Sequence, residues 1–327
     1  MASSEDDLIA RHFKPLAMDP GAFGLTDDTA ILKALGQDIV ITVDAIVEGV
    51  HFLPDDPPDT IARKALRVNL SDLAAKGAEP AGFVMTLALR EMHDAWLAPF
   101  AKALGEDAMH FGCPLLGGDT VSTPGPLSIS ITAFGRVPEG KMVRRHGAKP
   151  GDLVMVTGTI GDATLGLDIL KGGPIAKAMA NDAVGMAALI DRYRVPQPCN
   201  AFANAVREYA HAAMDVSDGL AGDLAKLCSV SGVSADIPLA DVPLSVCAKG
   251  LLASGAVGIE RLIAGGDDYE VLCAVPQRNA ERFLAAALAA GTTAAAIGAF
   301  TAGIGPPRFL DADGKPLTLR RLSYSHF

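Results

Sequence analysis

The residues of this sequence best suited to chemistry are aspartates that end or interrupt apolar runs. Most have a glycine close by, which allows a ligand to approach the backbone. Carboxylates at strand ends are typical of a magnesium-phosphate site in an α/β protein. The aspartates in such positions are Asp27, Asp28, Asp44, Asp72, Asp119, Asp215, Asp218, Asp267 and Asp268.

Most of these aspartates have a simpler interpretation when each is taken alone. Asp218 precedes a predicted helix and could be its N-cap. Asp119 follows two glycines and equally suits a turn. The pair Asp27 and Asp28 could form a turn, and positions 267–268 a solvated loop. Independent caps and turns have no reason to recur at so many strand ends, so the whole set favours metal binding.

Asp72 is the hardest aspartate to explain without a ligand. It lies about one turn before the end of a predicted helix, where the helix dipole disfavours a carboxylate. Lys76 at i+4 would offset this by a few tenths of a kcal/mol, or roughly 0.3. A bound divalent cation would offset it more strongly.

Signatures of several other site classes are absent. GTIGDATLG, residues 158–166, lacks the P-loop lysine and the G-x-G-x-x-G spacing, so it predicts only a tight strand-to-helix turn. No H-E-x-x-H, G-x-S-x-G or kinase catalytic-loop pattern occurs. His51 in EGVHF stands beside a carboxylate cluster, and we interpret it as a hydrogen-bonding residue rather than a metal ligand.

The elements that must position these residues alternate between strand and helix. The first half predicts strands over 39–44, 81–90 and 127–137 and helices over 60–76 and 95–111, with Thr60 as N-cap and Gly77 past the end. The second half predicts strands over 153–157, 211–215 and 269–275 and helices over 161–171 and 219–229. The polar stretch 136–152 between them, rich in proline and glycine, predicts a domain junction. We therefore expect domains over 1–140 and 150–327.

Charge and composition exclude several partners. The chain has 327 residues with 38 acidic side chains against 28 Lys plus Arg, a net charge of −10. This balance argues against nucleic acid, which needs a basic surface. The uncharged stretch 283–307 is rich in Ala, Gly and Thr and broken by glycine, so it predicts a helix and a strand rather than a membrane span.

The five cysteines are an odd number and never form a C-x-x-C pair. Buried, reduced thiols in the cytoplasm fit this pattern best. The acidic N-terminus shows no basic start followed by an apolar stretch, so no secretory signal is expected.

The motifs GLTDDTAIL, ITVDAIVEGVHF, ALRVNLSDLAAKGAEP, LLGGDT, AMDVSDGLAGDL and GGDDYEVLCAVP together resemble the thiamine-monophosphate kinase family, within the aminoimidazole ribonucleotide synthetase-like superfamily. The resemblance runs from about Gly24 to the C-terminal SYSHF. It implies an α/β fold of the α+β type with two domains, an N-terminal ATP- and metal-binding domain whose strands pair into a barrel in a homodimer, and a C-terminal α/β domain. It also implies a Mg-assisted, in-line transfer of the γ-phosphoryl group of ATP to thiamine monophosphate, the last step of thiamine diphosphate biosynthesis.

The resemblance also implies roles for individual residues. The metal ligands, for several Mg²⁺ ions, would be Asp28, Thr42, Asp44, Asp72, Asp119, Asp215 and Asp218. The ATP contacts would be Gly118, Asp119, Arg145 and Ser217. The substrate contacts would be His51, Asp267 and Tyr324. Thr26, Val43 and Asp267 depart from the residues usual in the family, and Asp267 stands where glutamate is usual.

No general base is expected, because a phosphate monoester with a second pKa near ~6 is already largely dianionic at neutral pH. Two other functions remain to be compared. A selenophosphate-type enzyme would carry a reactive Cys or selenocysteine near its N-terminus, whereas the first cysteine here is Cys113. A protein that binds calcium for structure alone would need a ligand loop such as D-x-[DN]-x-[DN]-G, which is absent.

Overall fold

The computed structural model describes residues 9–20, 22 and 32–319. They fold into two compact units. Unit 1 contains the described residues up to Leu73 together with Ala78–Lys141, and unit 2 contains Ala74–Gly77 together with the described residues from Met142 onward.

Unit 1 is built on a four-stranded sheet with the strand order β1-β4-β2-β3. β4 pairs antiparallel with both β1 and β2, and β3 pairs parallel with β2. The sheet is open, and the described residues form no closed barrel. The elements are β1 (Gln37–Val47), α1 (Pro58–Ala75), β2 (Glu79–Leu89), α2 (Asp94–His110), β3 (Leu115–Ser122) and β4 (Ser128–Pro138).

The sequence of unit 1 explains which side chains are buried. β4 alternates strictly between buried and half-buried positions, so Ile129, Ile131 and Ala133 share one face. Leu66 and Leu70 of α1 are 0% exposed and lie one turn apart, which places them on one face of that helix. These residues belong to the apolar interior of unit 1.

Unit 2 is built on a six-stranded sheet with the order β10-β7-β9-β5-β8-β6, in which only β7 and β10 pair parallel. Its strands are β5 (Leu153–Thr157), β6 (Ala212–Val216), β7 (Ser234–Pro238), β8 (Glu270–Val275), β9 (Ala294–Thr301) and β10 (Arg308–Leu310). Its helices are α3 (Asp162–Leu170), α4 (Pro174–Ala178), α5 (Ala183–Arg194), α6 (Ala203–Tyr209), α7 (Leu220–Ser231), α8 (Val246–Ala253), α9 (Ile259–Ile263) and α10 (Ala280–Ala289).

Both faces of the unit 2 sheet are covered. All six residues of β8 are buried, and the five apolar ones, 271–275, alternate between two apolar clusters. Leu272 and Ala274 belong to a cluster that includes residues of α3, α7 and α8. Val271 and Cys273 belong to a second cluster that includes residues of α6 and α10. A strand buried on both faces carries a continuous apolar run, as this one does.

Most of the predicted elements are confirmed, including the helix and strand within 283–307. One alternative and one prediction are wrong. Leu115–Ser122, which contains Asp119, is a strand, so the alternative of a turn at Asp119 is wrong. Helix α1 begins at Pro58, and Thr60 lies inside its first turn with its hydroxyl donating to Pro57 O, so it is not the N-cap. Among the described residues, no helix is both long and apolar enough to cross a membrane.

Candidate functional site

Three of the predicted metal ligands in unit 1 converge between β1 and α1. Thr42 and Asp44 are two residues apart and therefore lie on the same face of β1. The Thr42 hydroxyl donates to Asp72 Oδ2 at 2.5 Å. The backbone amide of Asp44 donates to Asn69 Oδ1 at 3.0 Å. Hydroxyl and carboxylate oxygens of this kind are the ligands that Mg²⁺ prefers.

Asn69 is not among the residues predicted from the sequence. It is 0% exposed, and its Nδ2 donates to Ala65 O within α1, which fixes the amide orientation. Asn69 and Asp72 are three residues apart and lie on one face of the helix. The i, i+3 spacing in VNLSDL is the sequence signal that points to this residue.

Val43 lies on the opposite face of β1 from Thr42 and Asp44. Its side chain is 61% exposed, like that of Ile41 at 63%. Val43, where the resemblance predicts a departure from the family, therefore lies on the face of the strand that does not carry these two residues.

Gly118 and Asp119 lie in β3, at the other edge of the sheet. In the register with β2, Gly118 pairs with Met85 and Asp119 with Thr86. A Cβ atom on Gly118 would lie 2.0 Å from Met85 O, so only glycine fits here. Asp119 is exposed. β4 and β2 separate this pair of residues from Asp44 within one chain.

His51 lies in the turn after β1 with its ring fixed. Its Nδ1 accepts a hydrogen bond from the Val47 amide at 3.0 Å. Nδ1 therefore carries no proton, and the neutral ring presents its hydrogen at Nε2 as a donor. The amine of Lys64, a residue 1% exposed, donates to His51 O at 2.8 Å and holds the same turn.

In unit 2 one predicted ligand lies in β6 and the other shortly after it. Asp215 is in the strand and 7% exposed. Asp218 lies beyond it, and its Oδ2 accepts from Lys226 Nζ at 2.5 Å. Helix α7 begins after Gly219, so the interpretation of Asp218 as its N-cap is wrong.

Asp223 and Lys226 were not predicted from the sequence, yet both hold Asp218. Asp223 is 0% exposed and accepts from the Asp218 amide and from Lys226 Nζ, both at 2.9 Å. Burial raises the pKa of Asp223, and the hydrogen bond from Lys226 opposes that rise. The ammonium group of Lys226 thus places a positive charge beside Asp218, a predicted metal ligand.

Asp267, the predicted substrate contact, lies directly beside Ser217, the predicted ATP contact. The Asp267 amide donates to Ser217 O at 2.8 Å. Asp267 has a φ of 72°, in the left-handed region. Aspartate tolerates that region better than longer side chains do. Aspartate is therefore a residue type that suits this backbone conformation.

Arg145 lies in an exposed segment that is fixed on both sides. Arg144 O accepts from the Ala213 amide at 3.0 Å, which ties the segment to the start of β6. The Ser231 hydroxyl accepts from the amides of Gly147 and Ala148 at 3.1 and 3.3 Å. The structure thus places Arg145 near the strand that carries Asp215.

Known proteins match the whole chain. Residues 26–137 match the family model described as AIR synthase related protein, N-terminal domain, and residues 149–306 match the C-terminal domain. A thiamine-monophosphate kinase of Caulobacter vibrioides is 44% identical over 99% of this chain and 91% of its own length. The chain belongs to the thiamine-monophosphate kinase family. The resemblance predicted from the motifs is confirmed.

Solved structures of the family share this fold. The crystal structure of the thiamine-monophosphate kinase from Stenotrophomonas maltophilia K279a has a TM-score of 0.83 and 33% identity, and the match covers 95% of this chain and 96% of that one. AaThiL complexed with AMPPCP and TMP has a TM-score of 0.77 and 29% identity, covering 94% and 97%. The predicted two-domain α/β class is confirmed at this level.

The oxygen atoms of the predicted ligands can be compared with what Mg²⁺, the metal that the resemblance implies, requires. Among the described residues, no group of three or more His, Cys, Asp or Glu side chains forms a ready metal site. The pairs present, such as Thr42 with Asp72, offer only oxygen donors. Mg²⁺ commonly takes one or two protein carboxylates and completes its shell with water and phosphate, so the donors fit. Asp28 and Tyr324 lie outside the described residues.

Proposed function

We propose that this chain transfers the γ-phosphoryl group of ATP to thiamine monophosphate and so forms thiamine diphosphate, the last step of that cofactor's biosynthesis. The predicted enzyme class, a thiamine-phosphate kinase, is confirmed by family membership. The observation that carries the proposal is the full-length similarity to these kinases. The backbone hydrogen bond between Asp267, the proposed substrate contact, and Ser217, the proposed ATP contact, supports it further. Phosphoryl transfer requires ATP and the acceptor substrate to lie side by side.

The proposed metal ligands divide between the two units. Thr42, Asp44, Asp72 and Asp119 belong to unit 1, Asp215 and Asp218 to unit 2, and Asp28 completes the set. Several Mg²⁺ ions held by these residues would neutralise the repulsion between two anionic phosphates. Lys226 balances the charge of Asp218. The acidic net charge of the chain is compatible with phosphate binding once the ions are included.

The remaining residues bind and orient. Arg145 supplies a guanidinium for the ATP phosphates, and Gly118 and Ser217 contribute further ATP contacts. His51, with its donor at Nε2, is suited to a phosphate oxygen of the substrate. Asp267 and Tyr324 complete the substrate contacts. The dianionic phosphate of the substrate is itself the nucleophile, so no residue is assigned as general base.

We further propose that residues 1–140 form the ATP- and metal-binding, dimerising domain and 150–327 the C-terminal domain. Both edges of the unit 1 sheet carry exposed apolar side chains, Ile41 and Val43 on β1 and Val121 on β3. Pairing of these edges between two copies would close a barrel and cover them. It would also bring Asp44 next to the partner's Asp119. Within one chain, Asp44 and Asp119 lie three strand spacings apart, or about 14 Å.

The dimer proposal has a direct test. Val43→Lys places a charge on the β1 edge and should give a monomer in light scattering with little residual activity. Val246→Lys, at a site 88% exposed on α8, is the matched control and should leave the dimer intact. A dimeric, active Val43→Lys variant would contradict this interface.

A reducing, cytoplasmic location is part of the same proposal. None of the five cysteines forms a disulfide, and four of them are buried. Burial raises the pKa of Cys113 and of Cys228 to about 12. Such thiols stay protonated and unreactive.

The activity itself is tested by incubation with Mg-ATP and thiamine monophosphate and detection of thiamine diphosphate. Asp44→Asn and Asp119→Asn should each abolish turnover and leave the fold intact, since each removes one ligand charge. Asp313→Asn, at a side chain 79% exposed, is the control. Near-normal turnover of either site variant at saturating magnesium would refute the metal assignment. Absence of product from the unmodified protein, together with tight calcium binding, would refute the kinase function.

A further inference from the structure

A buried charge network in unit 2 takes no part in the chemistry proposed above. Arg192 Nη2, on α5, donates to Glu270 Oε1 at 2.6 Å and to the backbone carbonyl of Asp268 at 3.3 Å. Glu270 and Asp268 are 3% and 1% exposed. Burial raises the pKa of Asp268 well above its usual range, and Arg192 opposes this. Buried carboxylates require a counterion such as Arg192. Charge compensation alone does not explain why Arg192 also donates to the backbone carbonyl of Asp268.

The Glu270 end of this network is rigid. Thr157 Oγ1 donates to Glu270 Oε2 at 2.6 Å and accepts from the Val271 amide at 2.8 Å. A Cβ atom on Gly158 would lie 2.0 Å from Glu270 Oε1, so the carboxylate fills the space beside that glycine. Arg192 is therefore fixed to the central strands β5 and β8.

The other end of the network is an unusual backbone. Asp267 and Tyr269 have φ values of 72° and 51° on either side of Asp268. Non-glycine residues keep such values only where surrounding contacts hold them. The amides of Asp267 and Tyr269 donate to Ser217 O and Val216 O, both at 2.8 Å.

Asp268 is held from two further directions. Its carboxylate Oδ2 accepts from the Gly161 amide at 2.8 Å. Its carbonyl, which lies between the two left-handed residues, accepts from Arg192. The direction of that carbonyl depends on the torsion angles of residues 268 and 269. The Arg192 contact therefore constrains the loop at the point where it carries Asp267.

We propose that Arg192 is a positioning residue: fixed to Glu270, it holds the backbone of residues 267–269, in which Asp267 and Tyr269 are left-handed, and so directs the Asp267 carboxylate toward the substrate. The substrate role of Asp267 rests on the proposed function. Without Arg192 the loop relaxes toward ordinary φ values, and Asp267 turns away while Ser217, the residue directly after β6, stays in place.

Arg192→Lys tests this inference in the full-length protein, because it keeps the positive charge but replaces the planar Nη2 group, which donates to both acceptors, with the tetrahedral ammonium of a shorter side chain. Amide hydrogen exchange of the peptide covering 265–270, without ligand, should accelerate about tenfold or more, as expected when a local opening becomes easier. The Kd for thiamine monophosphate should rise about tenfold or more, while the Kd for AMPPCP should change less than about threefold. Arg308→Lys, which breaks the Arg308–Asp236 pair on β10 and β7, is the matched control and should alter neither.

Each outcome decides the matter. Unchanged exchange at 265–270 overturns the positioning role whatever the substrate is. Faster exchange with unchanged affinity for thiamine monophosphate, or equal weakening of both ligands, overturns the link to the substrate. Failure of the unmodified protein to bind thiamine monophosphate refutes the proposed function instead, while the exchange measurement still tests the loop. If Arg192→Lys does not fold, Glu270→Gln should show the same faster exchange and selective loss of binding.

Discussion

Gly118→Ala is the substitution for which the structure predicts the clearest effect. The added Cβ would lie 2.0 Å from Met85 O, well inside the 3.4 Å at which ordinary contact begins. β3 must therefore move by about 1.4 Å relative to β2, or the two strands must lose part of their pairing. Gly117 provides the control, because a Cβ atom there meets nothing within 4 Å.

The size of the effect follows from this displacement. Overpacking of this kind costs about 1–3 kcal/mol of unfolding free energy. Because Asp119 is the next residue, its carboxylate moves with the strand, and a misplacement of about 1 Å can lower kcat/KM about 100-fold. Gly117→Ala should stay within about 0.5 kcal/mol of the unmodified protein, as substitutions away from such contacts usually do.

The assay is urea unfolding of both variants together with their kcat/KM for thiamine diphosphate formation. Equal stability and equal kcat/KM for the two variants would refute the close contact between Gly118 and Met85. A loss of stability in Gly118→Ala with unchanged kcat/KM would instead show that Asp119 is not part of the site.

Three further predictions concern β1 and its neighbours. Thr42→Val removes the donor to Asp72 and should cost about 1 kcal/mol in urea unfolding while raising the magnesium concentration needed for half-maximal activity; unchanged values in both would contradict the contact. Asn69→Leu leaves the partly buried Asp44 amide without its acceptor and should cost about 1–3 kcal/mol in the same measurement, and an unchanged unfolding free energy would contradict this contact. The hydrogen bond from Arg90 lowers the pKa of Glu48, so the pair stabilises the fold above the unfolded-state value of about 4.3 and loses this effect as pH falls through the lowered folded value. Arg90→Gln should therefore lower the free energy of unfolding at pH 7. It should also make that free energy fall less steeply as the pH drops below 4.5, and an unchanged pH profile would contradict this.

The elements around the site were largely predictable because their signals are local. The alternation in ITVD predicts β1, and the apolar spacing in ALRVNLSDLAA predicts α1. The strand β3 was not predictable in the same way. Gly117 and Gly118 lower its intrinsic strand preference, and only the pairing with Met85 and Thr86 on β2 makes the segment extended.

The partners of the site residues depended on tertiary contacts in the same way. Asp218 has the sequence position of an N-cap, yet its carboxylate binds Lys226, because the chain enters α7 through Gly219. The left-handed backbone of Asp267 has no signal in GGDDYE, since aspartate is allowed in both regions. Contacts with Ser217 and Arg192 hold this conformation.

The sequence by itself determined the family, the two-part α/β organisation and the identity of the candidate ligands. Those properties reside in residue type, order and period, which the chain carries before it folds. The tertiary structure decided which ligands meet, such as Thr42 with Asp72, 30 positions away. It also decided which unpredicted residues, Asn69 and Lys226 among them, contact those ligands. Such contacts depend on distances between segments far apart in sequence, and only the packed sheets and helices fix those distances.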